Sequence, residues 1–183
     1  MILLAQLLAI VAFIALALAF LIVLRRSAKL LASTRDSQRL RRDVAELAGR
    51  IDQSLGGVAG QIDAVRRHSI SAEDIAESIS AARDAVTRYE VEARALGGPA
   101  GTDELREGIA AELERAARAL EMVDHGCAIL ASARAGSREL EAQTSIKRGY
   151  LNVLHAREAI NRHAARSAAL GKREQTSLFQ RRA

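Results

Sequence analysis

The sequence has little of what disulfide-bonded, β-rich or catalytic proteins draw on. Cys127 is the only cysteine in 183 residues. No internal disulfide can form, so no oxidising compartment is implied, and the thiol is expected to serve as a small buried hydrophobe. There is one proline (Pro99), no tryptophan, two tyrosines and three phenylalanines. That poverty in aromatics argues against a sheet-rich fold. With no zinc module or helix-turn-helix signature, it also leaves duplex readout by the basic last 46 residues a weak reading. Only three of the 27 basic residues are lysine. No nucleophile elbow, phosphate loop or zinc-finger spacing occurs. The glycine clusters GGVAG (56–60) and GGPAG (97–101) lack the Gly-Lys-Ser/Thr ending of a phosphate loop. No catalytic residue, cofactor or metal is expected, and nucleic acid is not an expected partner.

What is present is alanine, leucine, arginine and glutamate, a helix-forming set. The expected fold class is all-α, a single N-terminal transmembrane helix followed by a long-helix antiparallel bundle. Residues 1–24, MILLAQLLAIVAFIALALAFLIVL, hold no charged side chain, and Gln6 is their one polar residue. As a helix the run reaches about 36 Å, against a hydrocarbon core of about 30 Å. A cleaved signal peptide would want basic residues ahead of a shorter apolar stretch. Here Arg25, Arg26, Lys29 and Arg35 all follow it. The positive-inside rule then sets the N-terminus outside and the rest in the cytoplasm. The same cations stand where they can meet lipid headgroups.

Charge is segregated along the chain. Residues 25–50 carry +5, residues 51–137 carry −6 and residues 138–183 carry +6. Apolar residues recur at helical spacing throughout. Leu40, Val44, Leu47, Ile51 and Leu55 read as a basic juxtamembrane stalk over 25–70, with continuity through Gly56–Gly60 left open. Residues 71–170 read as an antiparallel bundle with helices over about 72–96, 102–135 and 138–170. Ser71 and Asp74 form a capping-box-like start, and Thr102 an N-cap. Ile75, Ile79, Ala82, Val86, Tyr89, Ala93 and Leu96 give the cleanest heptad pattern. Leu105 to Leu130 supply the third apolar face. Leu140, Ile146, Tyr150, Val153, Leu154, Ile160 and Ala164 supply the fourth. Asp84/Arg88, Glu90/Arg94 and Glu114/Arg118 are acid-before-base pairs on outer faces. The thin, alanine-rich core leaves the 40–65 or 75–96 heptads as candidates for a homodimer contact.

A turn near residue 136 places 125 opposite about 147 and 155 opposite about 117. That separates His125 from His155 by roughly 12 Å along the bundle, too far for one ion. The stretch IKRGYLNVLHAREAINRH (146–163) is the most mixed in chemistry. Its Tyr150, Asn152, His155 and Arg157 form a candidate binding face.

Residues 171–183 read as a flexible basic tail. Within it, Gln175-Thr176-Ser177-Leu178-Phe179 resembles the peptide by which bacterial replication and repair proteins bind the sliding clamp, commonly Gln-Leu-(Ser/Asp)-Leu-Phe. Four of the five positions match, and Thr176 stands where the pattern usually has leucine. The resemblance implies that Gln175 makes polar contacts while Leu178 and Phe179 fill an apolar pocket. The expected function is a non-enzymatic, single-pass membrane scaffold at the cytoplasmic membrane that recruits a protein partner. Its alternatives are a sliding-clamp adaptor and a ligand-sensing bundle.

Overall fold

The computed structural model describes the backbone of residues 2–98, 101–132 and 135–180. It describes the side chains of residue 20 and of residues 35–98, 101–132 and 136–169. Within them are four α-helices and no strand: α1 (Ile2–Arg66), α2 (Ala76–Ala95), α3 (Asp103–Ala131) and α4 (Ala135–Gln180). Each helix packs on its chain neighbours, and α4 closes the ring against α1. Cross-helix pairs run in opposite directions along every seam. Arg50 meets Glu92 while Ser54 meets Tyr89, and Gly126 meets Ile146 while Gly108 meets His163. The result is an up-down-up-down four-helix bundle, whose short connections suit antiparallel neighbours.

The region expected to be a stalk is the fourth member of this bundle. Leu40, Val44, Leu47, Ile51, Leu55, Ile62 and Val65 are all buried, together with Val58 and Ala59. They pack against α2 and α4. Fully burying a leucine or isoleucine is worth roughly 1.5–3 kcal/mol, so this face is a principal source of the bundle's stability. The periodicity was legible, but its destination was not: an apolar stripe has the same spacing whether it meets its own chain or another. Both heptad stripes offered for a homodimer are therefore occupied within the chain. Ile75, Ile79, Ala82, Val86, Ala93 and Leu96 of α2 are buried as well. The helix passes through Gly56, Gly57 and Gly60 without a break.

Helix ends follow local chemistry. The amide of Ser71 donates to Asp74 Oδ2 at 3.1 Å, and the amide of Asp74 donates to Ser71 Oγ at 3.3 Å. This reciprocal box sits in the turn ahead of α2, which begins at Ala76. Thr102 stands at the N-cap of α3, but its side chain makes no capping hydrogen bond. Gly101 has φ +93°, a left-handed conformation that glycine adopts without steric cost. Of the three surface pairs, Glu90–Arg94 and Glu114–Arg118 form, and Asp84–Arg88 does not among the described residues.

Two expectations on α4 change. Leu140 is 79 % exposed and does not belong to the buried face. It precedes Ile146 by six residues, about 600°, which carries it away from the core side. The backbone also continues as helix through residues 171–180, where a flexible tail was expected. As for the membrane span, residues 2–24 form the first part of α1. Their side chains, Phe20 apart, lie outside the described residues, as do those of Arg25, Arg26 and Lys29. Among the described residues no helix is long and apolar enough to cross a membrane.

Candidate functional site

The most elaborate polar cluster in the bundle joins α1 to α4. Arg157 lies on α4 between the core position Val153 and the buried Ile160. Its guanidinium donates twice to Asp52 of α1, Nε to Oδ1 at 2.6 Å and the second nitrogen to Oδ2 at 3.0 Å. Asn161, one turn further, donates to Asp52 Oδ1 at 2.8 Å. The fork geometry of arginine matches a carboxylate and makes such a pair stronger than a single point contact. Gly56 makes room for it: a Cβ there would stand 3.4 Å from Arg157 Cζ. Both charged side chains are 35 % exposed, so water still screens the pair. The hydrogen bonds from Arg157 and then Asn161 hold the Asp52 carboxyl below its ordinary pKa.

Flanking contacts extend the cluster along α1. The Arg66 guanidinium stands 4.7 Å from the centre of the Tyr150 ring, within cation–π range. At the α1–α2 seam Ser54 and Tyr89 share a hydrogen bond at 3.0 Å, and Arg50 stands 5.6 Å from the Tyr89 ring centre.

The four residues read as one binding face are thus divided. Tyr150 and Arg157 are engaged with α1, Asn152 is half-buried, and His155 is exposed. Their spacing spans most of a helical turn, so no single surface could gather them. Asp52 escaped the sequence reading, while Asn161 entered it only within the mixed 146–163 stretch and Gly56 only as a weak point of the helix. Asp52 carries no local signal beyond following the buried Ile51, and its partner lies 105 residues away. Arg35 is exposed. Gln175, Leu178 and Phe179 stand on the helical backbone of α4, with side chains outside the described residues.

The α3–α4 seam bears out the expected register, with Gly126 against Ile146 and Gly149 against Val123. His125 Nε2 lies 3.9 Å from Glu141 Oε1. His163 packs on Gly108, where an added Cβ would stand 2.7 Å from the imidazole Cε1. Among the described residues no three His, Cys, Asp or Glu side chains converge on a metal position. Cys127 is buried, and desolvation pushes its thiol up to about 11. A thiol so raised is almost wholly protonated near neutrality and makes a poor nucleophile.

The opposite candidate is an open cleft at the end of the bundle where α1 turns into α2. Val65, Ile70 and Leu130 floor it, and His68, Glu73 and Glu139 rim it. His68 has φ +57°, the one positive-φ non-glycine residue among those described. It ends α1 in a Schellman arrangement, with His68 N donating to Val65 O and Ser69 N to Ala64 O, both at 2.9 Å.

The polar clusters among the described residues are contacts that join helices. No protein-family model matches the chain, and comparison with curated proteins and with solved structures finds no match.

Proposed function

We propose that this chain is a membrane-anchored helical scaffold, with a four-helix bundle held at the cytoplasmic face and offered to protein partners. The observation that carries the reading is the continuity of α1. One helix runs from Ile2 to Arg66, so residues 2–24 of the uncharged run and the buried 40–65 face belong to one continuous helix. An apolar run of that length has no place in a bundle whose core is already filled by other residues. Phe20, its one described side chain, is 64 % exposed, as a lipid-facing ring would be. Arg25, Arg26 and Lys29 follow directly, at the level of the headgroups.

Two measurements test it. The full-length protein should stay in the membrane pellet through alkaline carbonate extraction and leave only with detergent. In intact cells the bundle should resist an added protease and be digested once the membrane is opened. Recovery in the soluble fraction removes the anchor. Digestion from outside reverses the orientation.

A further inference from the structure

Large apolar side chains are exposed at three places in the described part of the bundle: Val91 at 65 %, Leu140 at 79 % and Leu151 at 42 %. They fall on two outer stripes. On α4, Leu140, Lys147 and Leu151 follow each other at steps of seven and four, and Arg148 borders them. On α2, Glu77, Asp84 and Val91 follow at steps of seven. The charges on these stripes are exposed and, among the described residues, make no ion pair: Lys147 and Arg148 on α4, Glu77 and Asp84 on α2. Ion pairs take up part of the remaining surface charge, although Arg39, Arg42, Glu104, Glu107 and Arg166 are likewise exposed without one among the described residues. Arg83 meets Glu121, Arg94 meets Glu114, Arg138 meets Glu141 and Arg162 meets Glu158. The α4 stripe is thus apolar and basic, and the α2 stripe is apolar and acidic. The two helices occupy opposite corners of the ring, each packed on α1 and α3.

We propose that the α2 stripe of one copy docks on the α4 stripe of a second copy, side by side in the same orientation. The internal registers supply the match in height. Arg83 of α2 lies level with Glu121 of α3, and Val123 of α3 lies level with Gly149 of α4. Asp84 therefore stands about four residues from Arg148 and five from Lys147 along the bundle axis, roughly 6–8 Å. Long basic side chains span that offset. Glu77 then falls between Leu140 and Lys147, and Val91 falls roughly 12 Å beyond Leu151, so the charges and not the apolar groups set the match. Arg88 is the like-charged group on the α2 stripe. It falls about 12 Å from Arg148 along the axis, on the side of Glu158. Because the stripes are on opposite corners, the contact does not close on itself. Each docked pair leaves one free α2 and one free α4, so the arrangement extends as a row. A single helix-on-helix seam lies well below the roughly 1,000 Å² of a stable interface. Confinement to one bilayer raises the effective concentration that such a weak contact needs. The shared orientation rests on the membrane reading above.

The test uses full-length protein carrying Asp84→Cys and Arg148→Cys, oxidised with copper phenanthroline in native membranes and again in mild detergent. Buried Cys127 is common to all variants, and the wild-type chain shows its background. The expected product in membranes is a ladder of dimer, trimer and longer species, with neither single-cysteine variant passing beyond background. No ladder in either preparation overturns the proposal. A dimer from one single-cysteine variant as strong as that from the pair also overturns it, since the contact would then be self-facing. Charge reversal gives a second readout, by energy transfer between labelled copies. Asp84→Arg should weaken association by up to about fivefold, the range of exposed ion pairs. Lys147→Asp/Arg148→Asp on the partner should restore it, and an effect of neither removes the charge argument. Fractionating the same samples separates the two readings. A ladder from protein recovered as soluble keeps the docking and discards the anchor, and an anchored protein without a ladder does the reverse.

Discussion

His68 carries a conformational cost that its neighbours impose. A left-handed backbone is disfavoured for a side chain with a Cβ, by about 1 kcal/mol, and the C′ position of a Schellman motif is where glycine is normally found. The α1 terminus needs that conformation to satisfy the carbonyls of Ala64 and Val65. His68→Gly is therefore expected to stabilise the folded protein by up to about 1 kcal/mol, read as a rise in unfolding midpoint in detergent. A fall would mean that the imidazole makes a contact worth more than the strain. Asp52 behaves differently because its contribution depends on pH. Its folded pKa is depressed, so its stabilisation is present above the unfolded carboxyl value near 4 and is lost as pH falls through the lower folded value. Asp52→Asn should cost about 1 kcal/mol at pH 7, discounted for exposure. That deficit should shrink as denaturation is repeated below pH 4. A gap that stays constant across the range would assign the loss to packing instead of charge.

Between helices the decisive feature is the closeness of α3 to α4. A Cβ at Gly126 would stand 2.8 Å from the Ala142 carbonyl oxygen, and one at Gly149 2.7 Å from the Ala119 carbonyl oxygen. Both obstacles are backbone, which cannot rotate aside. Gly149→Ala is expected to destabilise by about 1–3 kcal/mol, the range for overpacking, despite alanine's better helix propensity. Gly57→Ala is the matched control, since a Cβ there meets nothing within 4 Å and the propensity gain of up to about 1 kcal/mol stands alone. Midpoints that move the same way in both would refute the close approach. This contrast also marks what the sequence could reveal. The run from Ile75 to Leu96 was legible because one helix face encodes it locally, and the capping box at Ser71–Asp74 is written in four consecutive residues. The turn near 136 fixed the α3–α4 register by simple counting. The Asp52–Arg157–Asn161 cluster was not legible, because its partners are joined only by the closure of α1 onto α4. For the same reason residues 40–65 read as a stalk: their apolar face announces burial without naming the surface that provides it.

At the scale of the whole molecule, the α1–α4 register sets where the end of α4 lies along α1. Along their seam Asp52 lies opposite Arg157 and Arg66 opposite Tyr150. Extended at that register, Gln180 comes level with about residue 32 of α1, roughly 12 Å beyond the end of the 1–24 run at about 1.5 Å per residue. The Gln175–Phe179 segment thus stands on the same end of the bundle as the proposed anchor, and it is helical there. A partner that reads Gln175, Leu178 and Phe179 together would need the last turns to open if it binds them as an extended segment. Terminal turns fray at little cost, since their final carbonyls lack helical partners. On the anchored reading proposed above, a bilayer at that end would crowd a ring-shaped partner approaching the tail. If the Gln175–Phe179 resemblance carries function, detergent-solubilised protein retains purified clamp in a pull-down and Leu178→Ala/Phe179→Ala abolishes it. Closed membrane vesicles with the bundle facing out should retain several-fold less. Equal recovery by wild type and the double variant would sever the tail from the clamp. Equal recovery from detergent and vesicles would mean that the end of α4 turns away from the anchor, against the register set by Asp52 and Arg157.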